Sequence, residues 1–462
     1  MRCFFLGKIV SFASLTALSL GAGAQTAAPM QAPPNLANPG TLSTPSLPQA
    51  SSSSSPTNQV LTLADAEARA LKNQPRLLAQ QFRAEAANKR VTESRSGYFP
   101  QMFGNLTAVE ANGDTAVAAG AVTTSSVSTR AAGGGSLVQL ITDFGHTSNL
   151  LQSARFDAKA AGQDEESIRQ TVLMNVQEAY FAAQAAESVL KTAQAVLDFR
   201  KLSFRQLNAL AQSQLRSTLD VQFAQVMVSE AELAVVRAES TVQKAQAQLA
   251  ASMGEESASS YSLVDESLPP SPDSEPSEYI QQAIVDRPDL KGLRLHSESA
   301  SHEARAETDR NFPSVTALAS GGEVPIHDST IHRDYGAVGV NINIPIFTGG
   351  LYTSRAAEAR LEAKAADKDA SLREVEIVRD VRMAWADARD AYLQLDVTQR
   401  LVDQSNVAMR LAQARYDAGL GSIVELNQAE LNQTSALITA ASARFDYLRS
   451  MTAFQFALGD LH

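Results

Sequence analysis

Several things are scarce in this chain, and each scarcity excludes something. Of its 462 residues one is cysteine, Cys3, and one is tryptophan, while aromatics reach only 6% against a hydrophobic share of 44%. A lone thiol rules out a disulfide within the chain and a cysteine-built metal site. The six histidines, His146, His296, His302, His327, His332 and His462, include no H-E-x-x-H and no pair four residues apart, so no zinc motif is present. Gly133-Gly134-Gly135 has no Lys-Ser or Lys-Thr after it, so it reads as a bend or close approach of strands and not as a phosphate cradle. No catalytic residues, cofactor or metal are expected. Basic clusters are missing too, and with a net charge of −11 nucleic acid is excluded as a partner.

Beyond the N-terminus no apolar run approaches the ~20 residues that a membrane-spanning helix needs. Any insertion into a bilayer has to use strands. Residues 1–24 read as a signal peptide: Arg2 and Lys8 are basic, Ile9 to Leu20 are mostly apolar, and Ala22-Gly23-Ala24 forms a cleavage site. Its removal takes away Cys3 and predicts a mature chain that starts at Gln25 with no acyl anchor. Residues 25–58 carry no charge and are rich in Pro, Ser, Ala and Gln, including Ser51 to Ser55 in succession. They are expected to form a disordered tether.

What the chain has in abundance is alanine, which favours long, closely packed helices, and a pattern that occurs twice. Ala70-x-x-Asn73-x-Pro75-x-Leu77 returns as Ala283-x-x-Asp286-x-Pro288-x-Leu290, and Phe99-Pro100 as Phe312-Pro313, all at an offset of 213. Tyr180 and Trp385, Ser217 and Ser422, Asp220 and Glu425, Ala224 and Ala429, and Gly254 and Gly459 keep an offset of 205. Two constant offsets over such a distance indicate duplication. The change of eight lies between Pro100 and Ile141, where a strand-loop-strand hairpin is expected, since copies differ in length in their loops. The domain plan is therefore a first repeat over 59–254, an acidic, Pro-rich linker over 255–275, and a second repeat over 276–462. Each repeat reads as helix, hairpin and two long helices, at 60–97, 101–140, 147–211 and 216–254, then 276–310, 314–346, 351–417 and 421–458.

The long helices carry a stripe that advances by three or four: Ile168, Val172, Val176, Ala179, Ala183, Ala186, Leu190, Ala193 and Leu197, matched by Ile377, Val381, Ala384, Ala388, Ala391, Leu395 and Val402. This is coiled-coil packing, and ~65 residues at 1.5 Å each give helices of roughly 100 Å. The strands alternate instead. Gly336, Val338, Val340, Ile342 and Ile344 share one face, with Tyr335, Ala337, Gly339, Asn341 and Asn343 on the other. Such segments suit a membrane barrel with lipid outside and water inside, or two half-buried hairpins of a soluble sheet. Four strands are too few to close a barrel, so insertion would require several copies. The fold class is mainly α with a β part that meets the membrane.

From Leu61 to Gly459 the chain resembles the TolC-like outer membrane efflux proteins. The likeness rests on Ser96-Gly97-Tyr98-Phe99-Pro100, Thr142-Asp143-Phe144-Gly145-His146-Thr147-Ser148-Asn149, Ile344-Pro345-Ile346-Phe347-Thr348-Gly349-Gly350, and Tyr416-x-x-Gly419-Leu420-Gly421-Ser422 followed by Glu425 and Ala429. The resemblance implies a homotrimer in the outer membrane of a Gram-negative bacterium. Each chain would give four strands to a twelve-stranded β-barrel and its helices to a periplasmic α-helical barrel. It implies a channel-tunnel for efflux or type I secretion that conducts small toxic compounds or polypeptides passively. Its partners would be outer membrane lipid, a periplasmic adaptor protein and an inner membrane pump. In that setting Asp220 and Glu425, five residues into the return helices, would ring the periplasmic mouth and form a gate with Arg216 and Arg415, or be ordinary first-turn acids on the helix dipole. Tyr416, Gly419, Leu420, Gly421 and Ser422 would be the adaptor-docking tip, or simply a tight turn. The first tip, Ala211 to Arg216, lacks a counterpart of Gly419. The alternatives are a soluble periplasmic coiled-coil scaffold or bridging protein and, less well matched, an adaptor.

Overall fold

A computed structural model describes residues 59–110, 115–119, 122–127, 130–256, 261–272, 275–326 and 332–461. The expected signal peptide and tether, and His327 and His462, lie outside the described residues. The first repeat opens with the short strand β1 (Gln59–Leu61), then α1 (Leu63–Asn73) and α2 (Pro75–Ser96). Thr62 caps α1 by accepting the Asp65 N–H at 3.2 Å. One continuous helix was expected here, and Pro75 is the reason for two: it has no N–H to donate and pushes Gln74 into an extended conformation, φ −68° and ψ 113°. Pro288 does the same to Arg287, φ −60° and ψ 122°, and divides α5 (Pro276–Asp286) from α6 (Pro288–Asp309). Both elbows are closed by the same bond. Gln74 donates to the Ser252 carbonyl at 2.9 Å, and Arg287 to the Ala457 carbonyl, its repeat equivalent, at 3.2 Å.

The sheet comprises β2 (Gln101–Val109), β5 (Arg130–Thr142), β7 (Ser314–Ile326) and β8 (Asp334–Asn343), antiparallel in that order. The connection between β2 and β5 carries its own small ribbon, β3 (Thr115–Ala119) with β4 (Val122–Val127), in the stretch where the two copies differ in length. Register separates the faces. Met102, Leu137, Ala319 and Val338 form a row across all four strands on one face, and Phe103, Ser136, Ser320 and Ala337 a row on the other. The first face is largely apolar and uncovered, with Gln139 on it and Glu323 and Asp334 at its end remote from the helices: Met102, Leu106, Val338, Val340 and Ile342 are exposed, Leu106 and Val338 by 92% and 90%. On the second face stand Gln101, Asn105, Thr107, Thr316, Asn341 and Asn343, with no charge on that face between Gln101 and Thr107 of β2 or between Tyr335 and Asn343 of β8. A row of four glycines, Gly104, Gly135, Gly321 and Gly336, crosses the apolar face.

The strands lead into α3 (His146–Gln212) and α7 (Leu351–Asp417), each 67 residues, which return as α4 (Thr218–Ser252) and α8 (Ile423–Leu458). α3 packs on α4, α2, α6 and α8, and α7 on α6 and α8. The coiled-coil stripe supplies the seams: Val172, Val176, Ala183, Ile377, Val381 and Ala388 are all buried. One core gathers around Tyr180, with Leu61, Ala66, Ala70, Leu249, Met253 and Phe445, and a second around Ile377, with Ile280, Leu290, Val381 and Phe454. The stretch expected as a plain linker contains β6 (Tyr261–Leu263), which pairs in parallel with β1. Its path is held by tyrosines. The Tyr180 hydroxyl lies 2.8 Å from the Val264 carbonyl and accepts the Val264 N–H at 3.0 Å, and that of Tyr447 lies 2.9 Å from the Pro270 carbonyl. Among the described residues no helix is long and apolar enough to cross a membrane.

Candidate functional site at the helix tips

The two return turns, between α3 and α4 and between α7 and α8, have the same backbone. The Leu215 N–H donates to the Leu210 carbonyl at 2.9 Å, and the Leu420 N–H to that of Arg415 at 2.8 Å. Gln214 bonds back to Ala211 at 2.9 Å and Gly419 to Tyr416 at 3.0 Å. This closure requires one residue in the left-handed region. Gly419 takes it at φ +73°, and in the first tip Gln214, at the equivalent position, takes it at φ +61°. The absent glycine therefore leaves the turn geometry unaltered, with the conformational cost borne by Gln214.

Ser217 and Ser422 cap the return helices. Ser217 accepts the Leu219 N–H and Ser422 the Glu425 N–H, both at 3.1 Å. Asp220 and Glu425 are thus the third residues of α4 and α8, not the fifth as expected. The spacing is the Ser-x-x-acid signature of a helix start, which gives both acids a local reason for their place. Each carboxylate then reaches to the last turn of α7. Tyr416 donates its hydroxyl to Asp220 at 2.6 Å, linking the two repeats, and Arg415 pairs with Glu425 at 3.1 Å within one hairpin. Burial and the Asp220 carboxylate both push the Tyr416 hydroxyl above its ordinary pKa, so it remains a donor.

Arg216 does not meet Asp220. Its guanidinium lies over the Tyr416 ring, 4.2 Å from the centroid, donates to the carbonyls of Tyr416 at 3.0 Å and Asp417 at 3.3 Å, and stands 3.9 Å from the Asp417 carboxylate. It caps the C-terminus of α7 from the neighbouring hairpin. Tyr416 itself is 3% exposed, in a cluster with Leu207, Ala224, Ala412, Ile423 and Leu426, so it acts from inside the tip. Gly419, Leu420 and Ser422 are on the surface and Gly421 is half-covered. A β-carbon on Gly421 would stand 3.2 Å from the Tyr416 nitrogen and 3.3 Å from the Glu425 carboxylate. The sequence reading named Leu420 but missed three other exposed apolar residues at the tips. Leu215 and Leu420, and Leu219 and Val424, are solvent-facing at equivalent positions, and the offset of 205 alone would have found them.

Three of the histidines are taken up locally. His296 lies 3.3 Å from Asp157 and 3.5 Å from Asp164, and those two carboxylates, outweighing its partial burial, raise its pKa to about 9. His302 meets Asn149 at 3.0 Å, and His146 the Ala306 carbonyl at 2.9 Å. Among the described residues no cluster of three or more His, Cys, Asp or Glu side chains is arranged to hold a metal ion.

The profile of the outer membrane efflux protein family matches residues 68–255 and 279–460. The chain belongs to that family. It is an outer membrane protein of a family of efflux and secretion channels. It is 25% identical over 415 residues to the outer membrane protein TolC of Vibrio cholerae, covering 86% of this chain and 91% of that one. Over 184 residues, 39% of this chain and 38% of the relative, it is 25% identical to the alkaline protease secretion protein AprF of Pseudomonas aeruginosa. The outer-membrane channel OprN superposes with a TM-score of 0.76 at 21% identity, covering 86% of this chain and 89% of that one.

Proposed function

We propose that three copies of this chain form a channel-tunnel through the outer membrane, each giving four strands to a twelve-stranded barrel and its long helices to a periplasmic tube. The observation that carries this reading is the sheet. It has an uncovered apolar face, an opposite face that is uncharged from Gln101 to Thr107 of β2 and from Tyr335 to Asn343 of β8, and two unpaired edges, β2 and β8. An isolated four-stranded sheet of this kind leaves both edges and its apolar face open in water, a liability that closure with further copies in lipid removes. Eight strands enclose a space that side chains fill, so three copies are the smallest number that leaves a lumen. On the helices, Leu219, Val226 and Leu233 of α4 repeat every seven residues and are exposed in one copy. They offer a seam to the next chain.

The tunnel conducts small toxic compounds or secreted polypeptides passively; an inner membrane pump, reached through a periplasmic adaptor, supplies the energy. The tips are its mouth. Asp220 held by Tyr416, and Glu425 held by Arg415 with Arg216 alongside, form the gate. Leu420, with Gly419, Gly421, Ser422 and the equivalent Leu215, forms the adaptor-docking surface. Mass and electron-microscopic imaging of the detergent-extracted protein, with conductance in planar bilayers, test this. Trimers that carry current are expected. A compact, detergent-independent monomer without conductance would overturn the reading in favour of a soluble scaffold.

A further inference from the structure

Tyr335 stands at the end of a row, Asn105–Gly134–Gly322–Tyr335, that crosses the polar face of the sheet. It lies near the end of β8 that is remote from the helices. A side chain on a strand ordinarily stands roughly perpendicular to the sheet. This one does not. A β-carbon on Gly322 would stand 2.8 Å from the Tyr335 hydroxyl, and one on Gly134, a strand further on, would collide with that hydroxyl and stand 3.2 Å from Cζ. The ring therefore lies along the wall, across β7 and onto β5, over the space that the missing β-carbon of Gly134 leaves open; at Gly322 a β-carbon would first collide with the Gly133 carbonyl and stand 2.7 Å from the Gly134 Cα, so strand packing requires that glycine as well. Aromatic cover of strand glycines also restores packing that glycine forfeits. The glycine run noticed in the sequence thus has a specific occupant.

We infer that Gly134 and Gly322 form a recess that stows the Tyr335 ring against the barrel wall, so that these three residues set the outer bore of the channel and the largest cargo that leaves it. The inference rests on the channel reading, in which the polar face is the lumen. Several copies would bring as many tyrosines into one ring, so releasing them from their recesses would narrow the exit from all sides at once.

The test is polymer exclusion in planar bilayers with the full-length protein, using poly(ethylene glycol)s of graded size added on the side opposite the helices, where entry reports the barrel and not the helical mouth. Gly134→Ala is expected to shift the cutoff to a smaller polymer. Tyr335→Ala should leave it where the wild type has it, and the double variant should return to the wild-type cutoff. A larger cutoff for Tyr335→Ala alone would show a ring already in the lumen and overturn the inference, as would an equal shift from Gly134→Ala with and without Tyr335. A β-carbon at 134 also meets the Gly321 carbonyl at 2.8 Å. Should that variant fail to assemble, Tyr335→Trp overfills the recess instead: a smaller cutoff supports the inference and an unchanged one overturns it. A wild-type protein that carries no current fails the channel reading itself, which is a different result from any shift among conducting variants.

Discussion

The two helical hairpins have the same backbone at their tips and different side chains on it. Where α7 ends in Arg415 and Tyr416, α3 has Leu210 and Ala211, and where the second turn has Gly421, the first has Arg216. The exchange is complementary. The second hairpin supplies the ring, and the first supplies the cation that covers it and the carboxylate that accepts from it. Higher up the same asymmetry recurs. Arg200 of α3 and Glu430 of α8 form a buried ion pair, whereas their repeat equivalents are Ser405 and Gln225. Duplication copied the scaffold, and the charges then diverged into pairs that join one copy to the other.

That comparison can be broken at graded cost. The largest effect is expected at the buried pair. Arg200→Met alone leaves Glu430 buried and uncompensated and should cost about 3–5 kcal/mol, while Arg200→Met with Glu430→Leu should be near neutral. Denaturant unfolding of the detergent-solubilised protein reads both, and equal losses would show that the pair is not coupled. At the tips, Asp220→Ala with Glu425→Ala should raise single-channel conductance or reduce cation preference. Unchanged conductance and selectivity would remove both acids from the gate.

Arg216→Ala removes a cation–π contact and a helix cap, each worth about 0.5–1 kcal/mol. Limited proteolysis should then open the first turn sooner, whereas Arg415→Ala, whose pair with Glu425 is nearly half exposed, should do much less. The left-handed residues give a reciprocal pair: Gln214→Gly should stabilise its tip and Gly419→Ala destabilise its own, each by about 1 kcal/mol, as read by thermal unfolding. The smallest effect is that of His296. Its folded pKa of about 9 lies above the unfolded value near 6.5. Its contribution is therefore complete below that lower value and lost as pH rises through about 9. His296→Gln should flatten thermal stability across this window, and an unaltered pH profile would show that the Asp157–His296–Asp164 contact contributes nothing.

Much of the fold was legible. The offsets of 213 and 205 anticipated an order of helix, strands and two long helices that occurs twice, the stripe from Val172 to Ala193 marked a seam that is buried, and alternation in β8 separated its faces. The elbow at Pro75 was not foreseen although the proline was in view, because an apolar pattern running through 60–97 outweighed one residue. At the site, every named tip residue lies in or beside a turn, yet the partner of Asp220 could not be assigned: Arg216 is four residues away in sequence and Tyr416 is 196.

By itself the sequence determined whatever follows from periodicity and repetition: long helices, strands with one apolar face, two copies and the turns that close them. These are properties of neighbouring residues, set by backbone geometry with periods of 3.6 and 2. Only the tertiary structure decided that Arg216 covers Tyr416, that Arg200 finds Glu430, that the linker adds a strand beside β1, and that two glycines hold one tyrosine against the sheet. Each of those joins residues far apart in the chain, and a contact of that kind depends on which surfaces the packed helices and the paired strands bring face to face.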